Sequence, residues 1–188
     1  MLFRSADKVA NTASVYASFL KHVKRTAQKE LVVEPALFEE SNQSHQVYNE
    51  DANKLIKKIE GDILYLDPPY NARQYGNYYH ILNTIAEYKP IKVRGVTGMR
   101  DYKRSTYCQK HSVLKSFDNL IKNARFKYIF LSYNNEGLVS LNEIRSVMEQ
   151  YGKYEYASKN YQRFKSDRDA NRTHKAEKTK EFLHILTK

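Results

Sequence analysis

Apolar residues recur at helical spacing over residues 8–30. Val15, Phe19, Leu20 and Val23 share one side and lysines the other, so the pattern predicts an amphipathic helix, with Asn11-Thr12 placed to cap a shorter version of it. Residues 34–45, around Pro35, have no period and read as a loop. Gln46–Asn49 reads as a short strand and Ala52–Ile59 as a helix. Asp62–Asp67 follows, where the run Ile63, Leu64, Tyr65, Leu66 is rich in β-formers and short enough for a buried strand, although period alone leaves a helix open. Further along, Tyr78–Tyr88 and Ser112–Asn123 have helical spacing, and Lys127–Tyr133 is a second buried-type strand. Leu141–Tyr151 is a helix, and Tyr154–Phe164 and Glu181–Thr187 close the chain as strands. Helix and strand alternate, which predicts an α/β domain with a largely parallel sheet. No internal repeat or low-complexity tract interrupts it.

Length fits this picture as one domain over residues 1–188, with a helical and loop segment at 1–45 and the sheet at 46–188. Charge changes it more. The chain has 32 basic and 21 acidic residues, a formal net charge of +11, which favours a polyanionic partner, nucleic acid first. An anionic membrane is the competing polyanion, but no long apolar run and no signal-peptide pattern supports it. The single cysteine, Cys108, excludes an internal disulfide and a thiolate zinc cluster, fits a reducing cytoplasm, and leaves no metal site to expect. Sixteen tyrosines and eight phenylalanines serve either a core or base stacking, and composition does not separate the two. Residues 89–110 carry seven Lys/Arg against one acid, and residues 159–180 carry eight against three. Both are poorly periodic, as phosphate-contacting loops or solvated charged loops would be. Arg100, Lys103 and Arg104 in the first, and Arg168 and Arg172 in the second, are the candidate contacts, with Arg73 a further one that suits an internal ion pair equally well.

The strand at 62–67 ends in Asp67-Pro68-Pro69-Tyr70. Two prolines remove two backbone donors and fix φ, and the first also drives Asp67 out of the helical region, so the chain leaves the strand stiffly. At the carboxyl end of a strand in an α/β sheet, where ligands bind, such a segment holds a carboxylate, bare carbonyls and an aromatic face in fixed relation. An ordinary strand exit with a solvated Asp and a packing Tyr has the same sequence. Methylation of an exocyclic base amine would use that arrangement. The nitrogen lone pair is delocalised into the ring, so the site needs acceptors for the NH2, here Asp67 and the Pro68 carbonyl, and a flat surface for the ring, here Tyr70. A duplex base would first have to be extruded.

At these residues the chain resembles the DPPY-containing, D12-class N6-adenine DNA methyltransferases of bacterial restriction-modification systems. The resemblance rests on Asp67 to Tyr75 (DPPYNARQY), Tyr79 to Ala86 (YHILNTIA), Gly95 to Gly98 (GVTG) and Phe130 to Gly137 (FLSYNNEG), and it runs from about Asn11 to the end. DPPY alone is shared with RNA methyltransferases; DPPYNARQY followed by FLSYNNEG at this spacing is far more specific. The resemblance implies a Rossmann-like fold dependent on S-adenosylmethionine, double-stranded DNA as partner, and N6-methyladenine as product. It also implies Asp67 and Pro68 as acceptors from adenine N6, with Pro69 completing the motif and Tyr70 stacking on the flipped base. Asp51, after the preceding strand, would touch the adenine of S-adenosylmethionine, and Asp67 is the second cofactor-binding residue implied; Asp51 also suits a helix N-cap.

The pattern departs from that family at its opening. The family begins with a strand and a phenylalanine-x-glycine-x-glycine loop around the methionine end of S-adenosylmethionine, followed by a strand whose acid holds the ribose. All six glycines here, Gly61, Gly76, Gly95, Gly98, Gly137 and Gly152, lie at or after position 61. The expectation is therefore a fold incomplete at its N-terminus, a separately encoded N-terminal segment as partner, and no methyl transfer by this chain alone. Two other readings stay open: methylation of RNA bases, and a non-catalytic nucleic-acid-binding remnant. No pattern fixes a recognition sequence or an oligomeric state.

Overall fold

A computed structural model describes residues 42–94, 99–162 and 178–188. The expected helix at 8–30, Arg168 and Arg172 lie outside the described residues. The chain divides into two compact units, one of Met1–Gln46 with Arg73–Arg104 and the other of Val47–Ala72 with Ser105–Lys188.

The second unit contains α1 (Ala52–Leu55) and β1 (Glu60–Leu66). In the first unit lie α2 (Tyr75–Tyr78), α3 (His80–Glu87), and the two-residue strands β2 (Val93–Arg94) and β3 (Met99–Arg100), which pair antiparallel. The second unit resumes with a 3-10 turn (Thr106–Cys108), α4 (Val113–Asn123), β4 (Arg125–Asn134), α5 (Leu141–Met148), β5 (Lys153–Gln162) and β6 (Lys178–Thr187).

The sheet of the second unit has the order β1-β4-β6-β5. β1 and β4 run parallel, with Leu64 beside Ile129 and Leu66 beside Leu131, whereas β4/β6 and β5/β6 are antiparallel. The expected α/β class holds, but the sheet is mixed where a largely parallel one was expected. The last two strands follow one another with no helical pattern between them, and antiparallel pairing does not need the long helical crossover that parallel strands do.

One face of this sheet carries the core. Ile129, Leu131 and Tyr133 of β4 and Leu186 of β6 meet Phe117, Leu120 and Ile121 of α4 and Ile144 and Met148 of α5, all buried. The amphipathic spacing of both helices puts these residues on the inner side. α5 starts at a capping box, with the Ser140 hydroxyl accepting from the Glu143 N–H and the Glu143 carboxylate accepting from the Ser140 N–H. On β1 the alternation is visible as a difference in exposure: Leu64 and Leu66 pack on the core, while Ile63 and Tyr65 are 62% and 61% exposed.

Local departures from expectation have local causes. Gln46–Asn49 is irregular and exposed, without the expected strand. The helix expected over Ala52–Ile59 stops at Leu55, because Ile56–Lys58 turns to bury Ile56 and bring the chain into β1. α1 is held to α4 through Asn53, which donates to the Ser116 carbonyl at 2.9 Å and to Asn119 at 3.0 Å, and accepts from the buried Tyr107 hydroxyl at 2.8 Å. The helix expected over Tyr78–Tyr88 is two pieces, and the second ends with Tyr88 in a left-handed conformation, φ 45°. Among the described residues, no helix is long and apolar enough to cross a membrane, and no cluster of His, Cys, Asp and Glu is arranged to hold a metal.

Candidate active site

Asp67 is the first residue beyond β1, at the carboxyl end of the parallel pair. Leu66 faces the core and is paired with Leu131, so Asp67 leaves the ladder at the end of β4 that carries Ser132. Asp67 is exposed, and Pro68, Pro69 and Tyr70 are half-buried. All peptide bonds in the described segment are trans.

The Tyr70 hydroxyl joins the two strand ends. It donates to Asp67 Oδ1 at 3.0 Å and shares a 2.8 Å hydrogen bond with Ser132 Oγ. Burial first, then the nearby Asp67 charge, holds its pKa well above the ordinary phenol value, so the hydroxyl keeps its proton, although the Ser132 contact opposes the shift. The backbone of Tyr70 is fixed as well: its carbonyl accepts from the Leu138 N–H at 2.8 Å and from the Tyr133 hydroxyl at 3.4 Å. The Tyr133 ring meets the Tyr70 ring edge-on, centroids 5.0 Å apart. Gly137 is required in the turn that supplies Leu138, since a Cβ there would stand 2.2 Å from the Tyr133 ring.

The same face continues to β6. Asn134 is two residues beyond Ser132, and its register partner is Glu181. The Asn134 side-chain oxygen accepts from the Glu136 N–H at 3.1 Å. Asn135 and Lys180 exchange two further hydrogen bonds, at 3.0 and 2.9 Å, which lock the end of β4 to the start of β6. Burial, reinforced by the Asp67 charge, raises the Glu181 pKa, with Asn134 opposing.

Asp51 caps α1, accepting from the Lys54 N–H at 3.1 Å, as one of its two sequence readings required, and its side chain is exposed. Its charge contributes to the raised pKa of Tyr107, after burial. The basic residues differ among themselves. Arg100 is engaged inside the first unit, donating to Glu87 at 2.7 Å and to Thr84 at 3.4 Å. Arg73, Lys103 and Arg104 are exposed. Reasoning from sequence gave no individual roles to Ser132, Asn134 and Glu181, although two polar residues at alternate positions of the otherwise apolar IFLSYN are a signal that one strand face ends in something polar.

The profile of the D12 class N6 adenine-specific DNA methyltransferase family matches residues 1–147. Similar curated proteins include the Type II methyltransferase M.NlaIII of Neisseria lactamica, 58% identical over 187 residues, covering 100% of this chain and 56% of the relative. The Type II methyltransferase M.CviAII of Paramecium bursaria Chlorella virus 1 is 42% identical over 165 residues, 88% of this chain and 50% of the relative. M.FokI of Planomicrobium okeanokoites, also a Type II methyltransferase, is 39% identical over 171 residues, 88% of this chain and 26% of the relative. The chain thus spans about half the length of the first two. No solved structure matches it significantly.

Proposed function

Because the chain belongs to the D12 class of N6 adenine-specific DNA methyltransferases, with the α/β architecture that family implies, we propose that it carries the base-binding half of a site-specific DNA adenine methyltransferase of the restriction-modification type. The observation that carries this reading is the fixed Asp67-Pro68-Pro69-Tyr70 segment, whose carboxylate lies exposed at the strand end and whose tyrosine is pinned at its hydroxyl and its carbonyl. Asp67 and the Pro68 carbonyl accept from the two hydrogens of adenine N6, which favours a lone pair localised on nitrogen. Tyr70 offers its ring to the extruded base.

S-adenosylmethionine, the methyl donor in this reading, supplies an electrophilic methyl group on a sulfonium centre. The chain's own residues that would hold such a group are Asp51 and Asp67, both exposed carboxylates, with Asp51 able to accept from the amine of its adenine. Double-stranded DNA is the proposed substrate, contacted through exposed basic residues such as Arg73, Lys103 and Arg104, and the proposed setting is the cytoplasm.

The test is methyl incorporation from labelled S-adenosylmethionine into duplex DNA and into RNA. It is run with the 188-residue chain and with a chimera in which this chain replaces the matching part of the Neisseria lactamica relative. Labelled N6-methyladenine in DNA from the chimera is expected. Labelling of RNA in preference to duplex DNA would overturn the DNA assignment.

A further inference from the structure

Glu181 stands on the same sheet face as Asp67, and the family profile ends before it, at residue 147. The register carries the connection. Asp67 and Ser132 follow the last ladder pair, Leu66 and Leu131, and are joined through the Tyr70 hydroxyl; Asn134 lies two residues beyond Ser132 on the same face of β4, and Glu181 pairs with Asn134 across the β4/β6 ladder. Tyr70 bridges Asp67 and Ser132, and Asn134 stands opposite Glu181 across the ladder. On its other side Glu181 is in register with Lys159 of β5, whose ammonium lies 5.4 Å from the centre of the Tyr161 ring. The ammonium of the adjacent Lys180 lies 5.6 Å from the centre of the Phe182 ring. Among the described residues, the titratable or charged groups around Glu181 are thus Asp67, Tyr70, Lys159 and Lys180, and the two carboxylates face the same end of the sheet.

Resting on the methyltransferase reading, we propose that Glu181 is a further catalytic residue of the same site, a second carboxylate that acts with Asp67 on the target amine as its nitrogen becomes cationic. Two carboxylates near one point repel each other in the free site. A nitrogen gaining positive charge between or beside them relieves that repulsion, so the pair favours the charged state over the neutral amine, which is the differential that accelerates a reaction. The surplus proton on nitrogen then passes to solvent by way of the carboxylate pair. Desolvation and the Asp67 charge, which raise the Glu181 pKa, are what such coupling requires.

The first measurement needs no turnover: side-chain carboxyl titration by 13C NMR in the full 188-residue chain. One glutamate signal is expected to titrate above the ordinary range, to disappear in Glu181→Gln, and to move back towards the ordinary range in Asp67→Asn. An unmoved Glu181 titration in Asp67→Asn would show that the two groups are not coupled and would overturn the inference. The second uses the methyl-transfer assay described above. Glu181→Gln should lower kcat roughly tenfold with KM for DNA unchanged, as expected for a charge near a developing cation in a half-solvated site. It should also remove one ionisation from the acid limb of the pH profile, and Glu181→Asp should recover most of the rate. Loss of activity in Asp67→Ala with full activity in Glu181→Gln would sink the role of Glu181 and leave the methyltransferase reading intact. Full activity in both variants would sink that reading itself.

Discussion

Tyr70 shows how much one side chain can be asked to do. As a stacking platform alone it would tolerate phenylalanine, because the ring face is kept. Its hydroxyl, however, joins Asp67 to Ser132 at 3.0 and 2.8 Å, so phenylalanine would leave the Asp67 carboxylate without the donor that orients it. We expect Tyr70→Phe to lower kcat with little change in DNA binding, and Tyr70→Ala also to weaken retention of the extruded base by about 1–3 kcal/mol. Equal kcat for wild type and Tyr70→Phe would reduce the tyrosine to a ring. A second residue-scale consequence concerns His184. Fully buried, with Nδ1 bonded to the Tyr154 hydroxyl at 2.8 Å and Nε2 unpartnered among the described residues, it has a pKa pushed down by burial to about 4. The unfolded chain takes up this proton near the ordinary histidine value of about 6.5, so between those values it binds more protons than the folded one. Stability is then full above about pH 6.5 and falls as pH drops towards 4, by up to about 3 kcal/mol. Urea unfolding at pH 7 and pH 4.5 should show this loss, and His184→Leu should remove most of that pH dependence.

At the scale of elements, α5 is set by its first turn. Ser140→Ala removes the hydroxyl half of the capping box, leaving the residue 140 N–H to the Glu143 carboxylate, and should destabilise the chain by about 1 kcal/mol, read as a lower urea midpoint with unchanged slope. The strand at Glu60–Leu66, the strand at Arg125–Asn134 and the helices on either side of the latter, α4 and α5, were legible in sequence because their apolar periods are unbroken and a cap or a proline pair marks an end. Strand direction was not legible: β-formers look alike in parallel and antiparallel pairs, and only the ladder shows that β6 runs against β4. The site was half legible for a related reason. Asp67 to Tyr70 are contiguous, so their chemistry can be read off a line of sequence. Glu181, proposed to act with them, lies 114 positions further along the chain (181 − 67) and is brought to that end of the sheet by its pairing with Asn134, so no local pattern points to it.

At the scale of the whole molecule, the net charge of +11 would set the terms of the proposed DNA binding. Arg100 spends its guanidinium on Glu87 and Thr84, so we expect the exposed Lys103 and Arg104 to contribute more to phosphate contact than Arg100 does. Removing each phosphate-contacting side chain should make the log–log salt dependence of binding shallower by about one unit, and Arg100→Gln should change the slope least. The role proposed for Asp67 is narrower than charge: it would accept from the amine that is methylated. The direct measurement is methyl transfer to duplex DNA by the chimera carrying Asp67→Ala, with duplex affinity measured alongside. The account predicts that transfer is abolished while affinity for duplex DNA stays within a fewfold of wild type; substantial turnover in Asp67→Ala would contradict it.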